Sequence, residues 1–215
     1  MSVSHDVTYT CPYCGKTFEI SVYDSINAEI DKDLRDRCLS GEVFQQLCPH
    51  CNKEFLVQND LLYVDPYHKF VIFVSDKEVP EVVKQAVAKP LVKQGYRLRR
   101  CATVREFTEK ISIFEDGADD VLVELARYDS FIEFVDNKKG KPEEVTSVDY
   151  ERYENDVMKI NVRTADRGMA FIIPVSMLEE EITSSNMDFT VDPEEFSLIN
   201  SDWLLSLFQK SAGVA

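Results

Sequence analysis

Two ten-residue segments, 11–20 and 48–57, repeat one pattern: Cys-Pro-x-Cys, then Gly or Asn, then Lys-x-Phe. The residue after each second cysteine is of a type that readily adopts a positive φ, as a turn that aims two thiolates at one ion requires. The alternating residues that follow predict a strand. Two such turns supply four thiolates, the ligand set of a closed, structural zinc site. The predicted metal ligands are Cys11, Cys14, Cys48 and Cys51.

The ion and the chemistry of these cysteines leave two alternatives open. Iron held by four thiolates, as in rubredoxin, needs the same ligands as Zn²⁺. The motif Cys11-Pro12-Tyr13-Cys14 is also similar to the active site of glutaredoxins, where a helix begins at the motif and lowers the pKa of the first thiol. Here residues 15–23 alternate as a strand does, and the motif occurs twice. Paired motifs favour a metal site over a thiol–disulfide redox protein.

Outside the cysteine pairs, the sequence has no recognisable set of catalytic residues. None of its three histidines falls in a Ser-His-Asp pattern. It has no glycine-rich phosphate loop and no hydrolase nucleophile motif. His50 lies inside one cysteine pair and is not expected to compete for the ion, and His68 is interpreted as a strand-edge residue. We therefore expect a non-enzymatic zinc protein. Its expected role is that of a protein-interaction or regulatory module, with another protein as its partner.

The charge of the chain argues against nucleic acid as a partner. The net charge is −15, and residues 111–215 hold 23 acidic but only 9 basic residues. Such a chain repels the phosphate backbone. The weak candidate for nucleic-acid binding is the basic run that contains Arg97, Arg99 and Arg100. We interpret this run as a solvated helix end, or as a docking site for the acidic third of the same chain.

The distribution of apolar residues also predicts where the protein resides. No apolar run approaches the roughly 20 residues that cross a bilayer, so no membrane association is expected. The N-terminal residues lack the basic and apolar regions of a signal peptide. We expect a cytoplasmic protein, because the cysteines then stay reduced and available to a metal. The sequence indicates no particular oligomeric state.

Hydrophobic periodicity predicts an α+β protein that begins with a zinc ribbon. The 33 residues between the cysteine pairs are predicted to contain a helical insert between Asp24 and Gly41. Apolar residues recur there every four positions, as on one face of a helix (Ile26, Ile30, Leu34 and Cys38). The expected cover for this face is the small sheet of the ribbon.

The rest of the chain is predicted to be helical at first and then mostly extended. After the helical middle, residues 145–175 are predicted to form an antiparallel meander, and further helices follow it in the chain. The segment 137–142, Asn-Lys-Lys-Gly-Lys-Pro, is the best candidate for a linker. The predicted domains are therefore a ribbon domain with its following helices over residues 1–136 and a small α+β region over residues 142–212.

The paired motifs and the long insert give the chain a resemblance to the CpXC domain family of prokaryotes. The likeness rests on Cys11-Pro12-x-Cys14 and Cys48-Pro49-x-Cys51, and it extends to the segment 109–120, Glu-Lys-Ile-Ser-Ile-Phe-Glu-Asp-Gly-Ala-Asp-Asp. It covers about the first 130 residues. The resemblance implies a zinc-ribbon-like, metal-binding domain and a bacterial or archaeal source. It implies little else.

Overall fold

The computed structural model describes residues 1–137, 140–211 and 213, and its fold is of the predicted α+β class. Two compact units make up the protein. Unit 1 comprises residues 1–108 and 192–198, and unit 2 comprises residues 109–191 and those from 199 onward. The helices and strands of unit 1 are β1 (Val3–Thr10), β2 (Thr17–Asn27), α1 (Lys32–Leu39), β3 (Gln45–Leu47), β4 (Glu54–Leu56), β5 (Leu61–Asp65), β6 (Phe70–Val74), α2 (Glu81–Val92) and β7 (Arg97–Cys101).

The helix α3 (Val104–Glu115) contains the boundary between the units. The remaining elements belong to unit 2: α4 (Asp120–Asp136), β8 (Val145–Glu154), β9 (Val157–Thr164), β10 (Gly168–Pro174), α5 (Val175–Ser184) and α6 (Ser201–Ser211). Short 3-10 turns, Glu42–Phe44 and Pro142–Glu144, precede β3 and β8. No helix in the described part of the chain combines the length and the apolar character that a membrane crossing requires.

A five-stranded sheet forms the centre of unit 1, with the strand order β1-β2-β5-β6-β7. All five residues of β6 are buried, as expected for a strand covered on both faces. Helix α2 covers one face, where Val71, Phe73 and Leu98 form a core cluster with its apolar residues. Aromatic rings fill other parts of the core, and the ring centroids of Tyr63 and Phe107 lie 5.5 Å apart.

The two cysteine turns connect the strands of two β-hairpins in unit 1. The first hairpin pairs β1 with β2, and the second pairs β3 with β4. Buried residues of both hairpins form one cluster, in which the ring of Tyr9 stacks on that of Phe55 with the centroids 5.4 Å apart. This shared cluster holds the hairpins together beside the turns that carry the cysteines.

The predicted insert helix is wrong in its first half. Strand β2 continues to Asn27, and α1 begins only at Lys32. Ile26 pairs with Tyr63 of β5 and is buried, whereas Ile30 is 60% exposed. The reason is tertiary pairing: the end of β2 lies parallel to β5, and the Asn27 side chain then accepts hydrogen bonds from the N–H groups of residues 29 and 30. A spacing of four residues does not reveal this partner strand.

The interpretation of the basic run as a helix end is also wrong. Arg97, Arg99 and Arg100 lie in β7, which pairs in parallel with β6. Because side chains alternate along a strand, Arg100 points to the opposite face from the other two. Arg99 is only 7% exposed, and its guanidinium donates to the carbonyl oxygen of Leu98 at 2.9 Å. The guanidinium of Arg100 pairs with Glu78 at 3.0 Å.

The antiparallel meander predicted for the C-terminal part is confirmed. In unit 2 the strand order is β10-β9-β8, and β9 buries Met158, Ile160 and Val162. Helix α4 begins where Asp119 accepts a hydrogen bond from the N–H of Val121 at 2.8 Å. This side-chain cap satisfies one of the free donors in the first turn of the helix.

The predicted linker falls partly outside the described residues, because Lys138 and Lys139 lie in the gap. The N–H of Gly140 donates to the carbonyl oxygen of Phe134, and a Cβ at position 140 would stand 2.1 Å from the Phe134 ring. Glycine is therefore required there for close packing. The division into domains at 136 and 142 stays a prediction, because contacts in the folded protein do not establish which segments fold alone; Ala212, the last residue of that second domain, lies outside the described residues.

Candidate metal centre

The first cysteine turn connects β1 to β2. The N–H of Cys11 donates to the carbonyl oxygen of Lys16 at 3.0 Å, and the N–H of Gly15 donates to the carbonyl oxygen of Cys11, also at 3.0 Å. Gly15 has a φ of 70°, in the left-handed region that glycine enters without steric cost. The positive φ that the sequence predicted after Cys14 is thus confirmed.

The second turn, between β3 and β4, has the same construction. The N–H of Cys48 donates to the carbonyl oxygen of Lys53 at 3.0 Å, and that of Asn52 donates to the carbonyl oxygen of Cys48 at 2.9 Å. Asn52 has a φ of 54°. The repeated sequence therefore gives a repeated backbone, in which each turn presents its two thiols on one side.

The four sulfur atoms of the two turns lie together. The Sγ atoms of Cys11 and Cys51 are 3.7 Å apart, as are those of Cys14 and Cys48, and all four lie within 4.8 Å of one another. Four sulfurs at ~2.3 Å from a central ion, in a tetrahedron, would be about 3.8 Å apart. The cysteine group therefore has the dimensions of a tetrathiolate metal site, which suits both zinc and iron.

Backbone N–H groups favour a negative charge on the first cysteine of each turn. The N–H of Tyr13 donates to Cys11 Sγ, and the N–H of His50 donates to Cys48 Sγ, both at 3.4 Å. Such N–H groups stabilise a thiolate more than a thiol. Cys11 and Cys48 are buried, Cys51 is half-buried and Cys14 is exposed. The group therefore lies with one side in the core of the ribbon and the other at its surface.

The thiols influence one another strongly. Burial raises the pKa of the Cys11 thiol, but hydrogen bonds from backbone N–H groups and from neighbouring thiols outweigh burial and lower the pKa to about 7. At Cys51, the backbone hydrogen bond at Lys53 lowers the pKa, but burial and the three other thiols raise it to about 12. The pKa values of these two thiols therefore move in opposite directions. A divalent cation would favour the thiolate form of the cysteines that bind it.

Neighbouring side chains surround the cysteine group without joining it. The ring of His50 stands edge-on to Phe18, with the centroids 6.3 Å apart, and His50 is not part of the ligand cluster found among the described residues. The ammonium group of Lys53 lies 4.8 Å from the centroid of the Tyr13 ring. That His50 does not compete with the cysteines for an ion stays a prediction.

The surroundings of Cys11 and Cys14 differ from those of a glutaredoxin-like active site. The motif is followed by β2, an 11-residue strand, and no helix begins there. The other two cysteines, Cys38 and Cys101, are buried and lie outside the group of four. Burial raises the pKa of the Cys38 thiol to about 12, so this thiol stays protonated and unreactive.

The structure also brings together charged residues that no sequence motif marks. In unit 2, Lys110 and Asp120 form a buried ion pair with an Nζ–Oδ2 distance of 2.9 Å. Glu124 and Arg127 lie one helical turn apart on α4 and contact each other at 3.2 Å. The available signal was the position of Glu124 between Val123 and Leu125, inside a run of apolar residues that the helix had to bury.

Comparison with known proteins identifies a family. A family model described as CpXC protein matches residues 9–127, which is more than half of the 215 residues and includes all four cysteines. No curated protein and no solved structure shows a match to the chain. The chain belongs to the CpXC protein family.

Proposed function

We propose that Cys11, Cys14, Cys48 and Cys51 bind one structural Zn²⁺ ion. The observation that supports this most strongly is the 3.7 Å separation of the sulfurs across the two turns, close to the edge of a zinc tetrathiolate. Iron would accept the same sulfurs, but zinc in such closed sites serves to fold the domain and carries out no redox step. When bound, the ion would supply a cross-link between the two hairpins.

The proposed site is non-enzymatic because four cysteines leave no open coordination position. A catalytic zinc site keeps one position for water or substrate, whereas a structural site is filled by protein ligands. The ion would balance the thiolates and fix the relative position of the two turns. The role that remains for this region of the protein is recognition of another molecule.

The test of the metal proposal is elemental analysis of protein purified without added metal. One zinc per chain is expected, with loss of the metal in Cys48→Ser. Cys38→Ala is the matched control, because Cys38 is a buried cysteine of the same unit outside the group of four; it should keep its zinc. Folded, metal-free wild-type protein, or equal metal loss in both variants, would refute the proposal. Detection of one iron per chain instead would identify the ion as iron and leave the four ligands unchanged.

The same region offers a surface for a protein partner. Leu47 and Leu56 lie on the outer face of the β3–β4 hairpin and are 57% and 58% exposed. Tyr13, at the tip of the first turn, is also exposed. Aromatic side chains are enriched in protein interfaces, and apolar side chains fill the core of such interfaces. We therefore assign this protein an interaction or regulatory role, with the face that carries Leu47 and Leu56 as the contact surface.

This role is tested by isolating the protein with its native partners. Leu47→Glu together with Leu56→Glu should abolish co-purification of the partner. Val82→Glu is the control, because Val82 is an exposed aliphatic residue of the same unit, on α2. A partner that survives the double substitution, or the absence of any partner from wild-type protein, would contradict this role. The strand that follows Cys14, where a glutaredoxin has a helix, argues against the redox alternative. Nucleic-acid binding through Arg97, Arg99 and Arg100 stays a prediction.

A further inference from the structure

A cavity of about 250 Å³ lies inside unit 2, between α4, α6 and β8. Helix α4 lines it with residues 124, 127, 128 and 131, and α6 lines it with residues 201, 204 and 205. Both sets follow the spacing of a single helical face, so the cavity is the space between two facing helices. Its volume is slightly below the ~300 Å³ at which small-molecule pockets begin, and above the ~150 Å³ that admits a benzene ring.

The walls of the cavity are apolar. Phe131, Val148 and Leu204 supply aromatic and aliphatic surface, and Leu204 is 1% exposed. Leu205 lies at the opening and is 43% exposed. An occupant would therefore be a small molecule with an apolar body, of the size of one ring with a short side chain.

One side of the cavity carries a carboxylate with unused hydrogen-bonding capacity. The side chain of Glu124 is 3% exposed, and its Oε1 atom accepts from Arg127 at 3.2 Å. Among the described residues, its Oε2 atom has only the Ser201 hydroxyl as a partner, at 3.5 Å, which is the outer limit for a hydrogen bond. A buried carboxylate in this state favours a further donor, because burial without partners is costly.

The charges around Glu124 sum to a negative value. Arg127 is shared between Glu124 and Glu109, whose Oε2 atom lies 2.9 Å from the guanidinium. Lys110 and Asp120 neutralise each other nearby. Two carboxylates and one guanidinium leave an excess of one negative charge beside the cavity. A ligand with one positive charge would restore neutrality, whereas an anionic ligand would be repelled.

We propose that this cavity binds a small organic amine, whose apolar body occupies the space between α4 and α6 and whose ammonium group pairs with Glu124. The proposal adds a ligand site in unit 2 to the metal site in unit 1, and it does not depend on the metal. It assigns a use to Glu124, a carboxylate that the protein otherwise buries with only partial compensation.

The proposal is tested by calorimetric titration of the full-length protein with four molecules that share one apolar body: phenethylamine, phenethyl alcohol, ethylbenzene and phenylacetate. Phenethylamine should bind about tenfold more tightly than the alcohol, a difference of about 1.4 kcal/mol. Phenylacetate should not bind. Equal affinities for the amine and the hydrocarbon, or no saturable binding of the amine, would overturn the proposal.

Three variants make the test specific. Glu124→Gln should lower the affinity for phenethylamine to that for the alcohol, while Arg127 keeps its second carboxylate partner. Leu205→Trp should close the opening and abolish binding. Met177→Trp is the matched control, because Met177 is an exposed apolar residue of α5 that does not line the cavity. Equal loss of binding in both tryptophan variants, with both still folded by circular dichroism, would contradict the assigned position.

Discussion

The Sγ atom of Cys14 lies 3.7 Å from that of Cys48, although 33 residues separate the two in the chain. This distance is far longer than the ~2.05 Å of a disulfide and close to the sulfur–sulfur edge of a metal tetrathiolate. Both 3.7 Å sulfur pairs join one turn to the other, so a bound ion would connect the two hairpins.

Metal removal should loosen one part of the protein selectively. Chelation is expected to raise amide hydrogen exchange in β1–β4, because metal binding contributes directly to the folding of small ribbons. The strands β8–β10 belong to unit 2 and should keep their protection. Hydrogen exchange measured by mass spectrometry before and after chelation checks this. A uniform change over the whole chain, or none in β1–β4, would count against a structural ion.

The backbone of the cysteine turns should respond differently to two substitutions. A Cβ at Gly15 would meet no atom within 4 Å, so Gly15→Ala tests only the positive φ. It should lower the free energy of unfolding by about 1 kcal/mol. Asn52→Gly, at the equivalent position, should change the free energy of unfolding by no more than a few tenths of a kcal/mol, since glycine accepts the same φ. Urea denaturation of both variants measures the difference, and equal effects would contradict the equivalence of the turns.

The cysteine turns were predictable because their determinants are local. Two cysteines, a proline and a residue that accepts a positive φ lie within five positions of each other, and the copy at 48–57 supports the interpretation. The end of β2 was not predictable in this way. Ile26 takes part in a strand because β5, more than thirty residues later, pairs with it. The basic residues of β7 likewise lie in a strand because β6 is beside them.

Removal of one partner of the buried ion pair of unit 2 should destabilise the protein. Lys110 also donates to the carbonyl oxygen of Ile199 at 2.9 Å, and Asp120 is fully buried. Lys110→Met should therefore destabilise the protein by ~3–5 kcal/mol, because it leaves a carboxylate buried without its ion-pair partner. Adding Asp120→Leu should recover part of that loss. The measurement is chemical denaturation of both variants, and a double variant no more stable than Lys110→Met would show that the charge is not the cause.

A carboxyl group of α4 should make the stability of unit 2 depend on pH. Burial, followed by the charge of Glu181, raises the pKa of Asp129 to about 7 in the folded protein, compared with 3.8 as its ordinary value. Between these values the folded state holds a proton that the unfolded state has lost, so this group's contribution to stability falls as the pH rises through 7.

The variant Asp129→Asn isolates this effect. It should be more stable than wild type at pH values above about 7, and the difference should shrink as the pH falls toward 4 and Asp129 becomes protonated. Thermal unfolding of both proteins across this range gives the difference directly. A difference that does not change with pH would show that Asp129 titrates normally.

The cavity was not predictable from the sequence, although the apolar neighbours of Glu124 indicated that this carboxylate is buried. Glu124 and Arg127 have the spacing of an ordinary exposed ion pair on a helix, and the sequence does not reveal that α6 covers that face. The position of α6 depends on contacts between residues about 80 positions apart, such as Ser201 with Glu124. The four cysteines were expected to lie together and they do, because each half of the group is defined by a short segment.

The central claim is that four cysteine sulfurs surround one zinc ion. The most direct measurement is X-ray absorption at the zinc K-edge on protein purified without added metal. We expect a single shell of four sulfur atoms at about 2.3 Å. A shell that contains nitrogen or oxygen, fewer than four sulfurs, or no zinc edge at all in folded protein would contradict the claim.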